Sequence, residues 1–130
     1  MRYIGVSGSR SFTKYKLLRP VLDALKSRYG YITIVTGGAA GADTLAAWWA
    51  KQNNVNCIVY EPDWTLGKLM GFARDQKIAD KCDELVACFC AGKPCNGTKH
   101  TVELVEEQNK LVTYIGYQPR EKHEVDREAS

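Results

Sequence analysis

The sequence predicts an α/β fold, a five-stranded parallel sheet of strand order 3-2-1-4-5 with helices on both faces, and three observations predict it. Five short apolar runs rich in β-branched and aromatic residues alternate with longer runs patterned as helices, which is the signature of a parallel sheet with crossover helices. At 130 residues, 45% hydrophobic and 25% charged, the chain suits one compact core. Finally, Thr36-Gly37-Gly38-Ala39-Ala40-Gly41-Ala42-Asp43 joins a strand directly to a helix through three glycines.

Taken in order, the first strand is expected over residues 3–7, ending in Gly8-Ser9-Arg10-Ser11. A helix over 17–29 carries Leu18, Val21, Leu22 and Leu25 at helical spacing, and Gly30 closes it. Pro20 falls near its start, where proline is tolerated. Residues 31–35 form a buried strand, and the Gly-rich turn leads into a helix from Ala42 to about Asn53, rich in Ala and Leu. Strand three covers 55–60, after which Glu61-Pro62-Asp63-Trp64 breaks away. A helix over 68–81, a strand over 84–90, a loop over 91–97, a helix over 98–108 and a strand over 111–115 complete the alternation. From Gln118 charge replaces apolar content, so the domain is expected over 1–117 with a charged C-terminal tail over 118–130.

Composition narrows the partners. The net charge of +3 is mild, and Lys and Arg are scattered along the chain, so nucleic acid is not the expected partner. No apolar run reaches the length of a membrane span, and the N-terminus runs straight into a strand, so a cytoplasmic protein without a membrane partner is expected. The five cysteines, Cys57, Cys82, Cys88, Cys90 and Cys95, are an odd number without an export signal and do not read as a disulfide framework. Cys88-x-Cys90 followed by Cys95 lacks both the spacing of a zinc knuckle and a histidine pair. Neither a metal nor a cofactor is expected.

In a sheet of this order, ligands sit beyond the carboxyl ends of the strands where the order reverses, here between strands one and four. The loops over 8–11, 36–43 and 91–98 meet at that crevice. A Gly-rich turn leaves N–H groups at a helix N-terminus, where the macrodipole favours an anion, and glycines let a ligand approach the backbone. Gly37, Gly38, Ala39 and Gly41 are therefore a candidate phosphate cradle, or a tight turn required by helix–strand packing alone. Asp43 caps or complements the first turn of the helix, or else accepts from a ribose hydroxyl or fixes the loop; fixing the loop is the expected role. After strand one come Gly8, Ser9 and Arg10, and Arg10 is suited to bidentate phosphate contact or to a surface ion pair.

Asn96, Gly97 and Thr98 open the fourth helix with a second set of free N–H groups. Lys99 and His100 follow in its first turn, where cations oppose the dipole; a bound anion accounts for them, or both point to solvent. His100 as a general base has no paired carboxylate nearby in sequence. Arg74 reaches the ligand across the crevice or pairs with Asp75 or Asp80. Trp64 can stack on a base, although tryptophan after a strand is more often core. Trp48 and Trp49 are adjacent on a helix and cannot share one face, so at least one is expected to be partly exposed and to mark an oligomer contact.

In series, Gly8-Ser9-Arg10, Thr36 through Asp43, Asp63-Trp64 through Gly71-Phe72-Ala73-Arg74-Asp75, and Gly97-Thr98-Lys99-His100-Thr101 resemble the SLOG superfamily. Within it they resemble the small YspA/YpsA-related proteins, many of them carried by phages and bacteria. The superfamily joins these to the DNA-processing protein A domain and the lonely-guy cytokinin-activating enzymes. The resemblance implies a modified Rossmann fold that binds a nucleotide or nucleotide-derived ligand, commonly as a homo-oligomer. Some members sense or capture ADP-ribose-type signals in antiphage conflict, and others cleave nucleoside monophosphates. Carried over by position, the implied contacts are Gly8, Ser9, Arg10, Gly37, Gly38, Gly41, Asp43, Arg74, Gly97 and Thr98.

Two departures bear on the chemistry. Lonely-guy enzymes carry adjacent glutamates soon after their Gly-Thr, where this chain has His100 and Thr101, and Glu103 lies well around the helix from Thr98. Family patterns often place Asn after the helix-three arginine, where Asp75 brings negative charge. The expected function is thus a sensor or sequestering module for an ADP-ribose-like or cyclic nucleotide signal, extending to phage–host conflict, with no catalytic residue. The alternatives are an N-glycosidic hydrolase using Glu103, Asp43 or His100, and single-stranded DNA binding, which the modest charge supports least.

Overall fold

Side-chain alternation along the central strands decides the layers. The computed structural model describes residues 1–90 and 96–116. Its elements are β1 (Arg2–Gly8), α1 (Tyr15–Tyr29), β2 (Ile32–Thr36), α2 (Ala42–Gln52), β3 (Asn56–Val59), a 3-10 turn (Trp64–Leu66), α3 (Leu69–Lys81), β4 (Glu84–Phe89), α4 (Asn96–Glu107) and β5 (Leu111–Gly116). All neighbouring strands pair in parallel, in the expected order β3-β2-β1-β4-β5.

Because helices cover both faces, β2 and β4 are buried on both sides rather than on alternate residues. Ile4, Val6, Ile34, Val86 and Cys88 point to one face and pack against Leu18, Leu22 and Leu25 of α1 and Ala46, Trp49 and Ala50 of α2. Val35, Leu85, Ala87 and Phe89 point to the other, against Ile78 and Ala79 of α3 and Val102 and Val105 of α4. Trp49 is fully buried, its indole N–H donating to Asp23 Oδ1 at 2.9 Å. Trp48 is half-exposed and meets Tyr15 edge-on, so the tryptophan pair divides between core and surface as its spacing requires.

Most boundaries shift by one residue, and two helix starts shift by two. α1 starts at Tyr15, so Pro20 lies inside the helix. Pro20 faces solvent, where water can meet the Lys16 carbonyl that the missing proline N–H leaves unbonded. α4 starts at Asn96, two residues early. The expected loop residues 91–95, with Cys95, and the expected tail over 118–130 lie outside the described residues. Among the described residues, no helix is long and apolar enough to cross a membrane.

Candidate ligand-binding crevice

β1 and β4 end side by side, with Gly8 in register with Cys88. They lead to helices on opposite faces of the sheet, α1 and α4. A cleft of about 480 Å³ opens where they part, at the position where doubly wound sheets take their ligands.

Ser9 pins the β1 side. Its N–H donates to the Cys88 carbonyl at 3.0 Å, its carbonyl accepts from Phe12 N–H at 3.1 Å and from Ala42 N–H at 3.4 Å, and its hydroxyl oxygen accepts from Ser11 N–H at 3.1 Å. This draws the chain tightly against its neighbours. A Cβ at Gly41 would collide with the Ser9 carbonyl, and one at Gly8 would lie 2.6 Å from the Cys88 carbonyl. Packing alone therefore requires glycine at these two positions.

Asp43, in the first turn of α2, turns back into the Gly-rich loop. Its Oδ2 accepts from Gly37 N–H at 3.1 Å and Ala39 N–H at 3.2 Å, so it fixes the loop, and the loop gives these two amides to Asp43. The other oxygen, Oδ1, is buried without a hydrogen-bond partner among the described residues. Burial drives the Asp43 pKa up to about 6, against the pull of the Ala39 amide, the Arg74 charge and the Gly37 amide. The thiols of Cys82 and Cys88 are likewise raised, to about 11 and about 12, mainly by burial, and are unreactive there.

Arg74 crosses to the same loop. Its Nη1 donates to the Gly37 carbonyl at 2.8 Å and its Nε to Asp75 Oδ1 at 2.9 Å. The second Asp75 oxygen meets His100 Nδ1 at 2.9 Å, and the carboxylate is buried. Asp75 thus ties α3 to the start of α4, meeting the Arg74 guanidinium with one oxygen and the His100 imidazole with the other, and His100 has its carboxylate partner 25 positions away. Expected to answer a bound anion or to point to solvent, the His100 imidazole lies against Asp75 and packs edge-on against Phe72, ring centroids 4.8 Å apart. Lys99 is exposed, and neither Lys99 nor His100 lines the cleft.

Arg10 differs from Arg74. It is exposed at the cleft wall and makes no hydrogen bond or ion pair among the described residues. On α4, Thr98 is buried and Gly97 exposed, and both line the cleft. A Cβ on Gly97 would meet nothing within 4 Å, so packing does not require glycine there. The Asn96 side chain lies outside the described residues. Trp64 stands at the mouth, 51% exposed, its ring over Gly71; the expectation of a core tryptophan is corrected, because the 3-10 turn carries it away from the sheet. A smaller lobe of about 270 Å³, shared by Arg10, Ala39, Trp64 and Arg74, reaches Gly37, Gly38 and Glu61.

The structure therefore brings Gly8, Ser9, Arg10, Ala39, Asp43, Arg74, Gly97 and Thr98 to the main cleft, and Gly37 and Gly38 to the smaller lobe. Gly41 lies behind them as a packing glycine. Sequence reasoning passed over Lys68, Phe72 and Glu61, which line these cavities. The available signal was the apolar pair Leu69 and Phe72 at a helix start, both more than half exposed.

A model of the YspA, cpYpsA-related SLOG family matches residues 3–67. The Gene 61 protein of Mycobacterium phage D29 is 31% identical over 130 aligned residues, covering 92% of this chain and all of that protein. Among solved structures, the molybdenum cofactor carrier protein from Chlamydomonas reinhardtii is similar with a TM-score of 0.69 and 24% identity, over 99% of this chain and 86% of that one. DNA processing protein A from Helicobacter pylori, described for its single-stranded DNA binding mode, is similar with a TM-score of 0.64 and 15% identity, over 99% and 74%. Both structures share the fold.

Proposed function

The chain belongs to the YspA, cpYpsA-related SLOG family, and from that premise we propose that it binds a nucleotide or nucleotide-derived ligand in the crevice between β1 and β4. Arg10 carries the reading. Arg74 is doubly tied within the chain, whereas Arg10 lines the same cleft without a partner among the described residues. With the amides at the start of α4, it forms a two-sided phosphate site. Trp64 and Phe72 offer exposed aromatic faces for a base. That Asp43 and Ser9 already engage amides of the Gly-rich loop and α2 supports a phosphate nearer α4.

The ligand class is an ADP-ribose-like or cyclic nucleotide signal that the protein senses or sequesters. A phage-borne relative supports a role in phage–host conflict, and half-exposed Trp48 supports self-association through α2. Calorimetric titration of ADP and ADP-ribose into wild type and Arg10→Ala tests the site. Arg10→Ala should weaken binding at least tenfold, as loss of a charge-assisted contact does; equal affinities refute it.

A second reading, N-glycosidic hydrolysis, has one observation in its favour: the cleft-lining Asp43 carries a buried oxygen without a partner among the described residues, and burial pushes its pKa up to about 6, suited to an acid–base role. Free base released over many turnovers, and lost in Asp43→Asn, would establish it. The fold likeness to a single-stranded DNA-binding protein puts oligonucleotides in the same titrations, where a steep salt dependence would mark them.

A further inference from the structure

We propose that the smaller lobe of the crevice is a ribose subsite in which the Glu61 carboxylate accepts hydrogen bonds from the vicinal 2′- and 3′-hydroxyls, making the ligand a ribonucleotide derivative rather than a deoxyribonucleotide. This rests on the nucleotide reading above and adds the sugar to it.

Three observations place Glu61 for this. The segment after β3 is pinned beside the Gly-rich turn: Thr36 pairs in register with Val59, and Tyr60 N–H donates to the Thr36 carbonyl at 2.8 Å. The Glu61 side chain then folds back over Gly38, where an added Cβ would lie 2.6 Å from its Cγ and 2.9 Å from its Oε2. Glycine at position 38, with φ +77°, is thus what lets the carboxylate lie against the turn. Lastly, Arg10 and Arg74 line the same lobe of about 270 Å³, yet Glu61 closes no ion pair with either and has no hydrogen-bond partner among the described residues. Asp75 and the Gly37 carbonyl hold Arg74.

A carboxylate and a guanidinium that line one cavity, both without a partner among the described residues, are matched by a ligand with hydroxyl donors at one end and an anion at the other. A vicinal diol satisfies both carboxylate oxygens, and its phosphate falls to Arg10. The topology agrees with a general rule for dinucleotide folds: an acid about 20 residues beyond the Gly-rich turn, past the next strand, meets the ribose hydroxyls. Glu61 follows Gly41 by 20 positions at the end of β3.

The test compares ADP, 2′-deoxy-ADP and 3′-deoxy-ADP by calorimetry against wild type, Glu61→Gln and Glu61→Ala. Wild type should favour ADP over both deoxy forms by roughly tenfold or more, the scale of one hydrogen bond to a charged group. In Glu61→Ala the three affinities should converge, with ADP falling to the level of the deoxy forms; Glu61→Gln should lose most of the preference. Equal wild-type affinities, or a Glu61→Ala loss that is the same for all three, overturns the ribose subsite while leaving nucleotide binding intact. If none of the three binds to wild type, the nucleotide reading fails and the subsite with it. Glu61 is exposed, so both variants should fold, which circular dichroism checks.

Discussion

Replacing Asp43 by asparagine should remove the loss of stability with rising pH that Asp43 contributes in the mildly acidic range. Burial raises its pKa from 3.8 to about 6. In that window the folded chain holds a proton that the unfolded chain has released, so stability falls as pH rises. From these two values the penalty at Asp43 is about 1 kcal/mol at pH 4.5 and about 3 kcal/mol at pH 7.5. The asparagine side chain retains an acceptor for the Gly37 and Ala39 amides but cannot ionise. Relative to wild type, the Asp43→Asn variant should therefore gain about 2 kcal/mol between pH 4.5 and pH 7.5. The absolute offset also includes the buried amide that replaces Oδ1, so the pH-dependent difference is the informative quantity. Urea unfolding at four pH values, read by far-UV circular dichroism, gives it directly. A difference that stays constant, or that moves toward wild type as pH rises, would refute the account of Asp43 as a desolvated carboxylate.

Other consequences separate folding from binding. Gly97→Ala meets no neighbour within 4 Å and should keep or raise stability, by up to about 1 kcal/mol, while weakening ligand binding; thermal melts and calorimetry read the two effects. Trp49→Ala, which empties a fully buried site and removes the indole N–H that donates to Asp23, should cost about 3–5 kcal/mol in chemical denaturation. An anionic ligand bound beside Asp43 should raise its pKa further, so affinity should increase as pH falls through about 6, with proton uptake visible in calorimetry run in two buffers of different ionisation enthalpy.

Much of this architecture was legible because it depends on local pattern. β-branched runs and amphipathic runs alternate, and parallel strands joined by helices admit few orders, so the crevice between β1 and β4 followed from topology. The loop-fixing role of Asp43 was also legible, since a carboxylate at a helix start after a Gly-rich turn has amides within reach. Contacts distant in sequence were not. Nothing near His100 announces Asp75, which reaches it only when α3 and α4 pack side by side. Trp64 appeared to be a core residue because hydrophobicity does not reveal that a 3-10 turn lifts it off the sheet. Gly8 and Gly41 show the same limit: their composition suits a ligand cradle, whereas their surroundings are the Cys88 and Ser9 carbonyls.

The most direct test of the central claim is to find what the crevice retains. Wild-type protein and Arg10→Ala would each be incubated with a mixed panel of nucleotides, nicotinamide dinucleotide and ADP-ribose forms and separated from the filtrate, and the protein fraction denatured and examined by mass spectrometry. An intact nucleotide derivative held stoichiometrically by wild type and lost from Arg10→Ala is the predicted result. A wild-type fraction that retains none of the panel, or retention equal in both proteins, would contradict it.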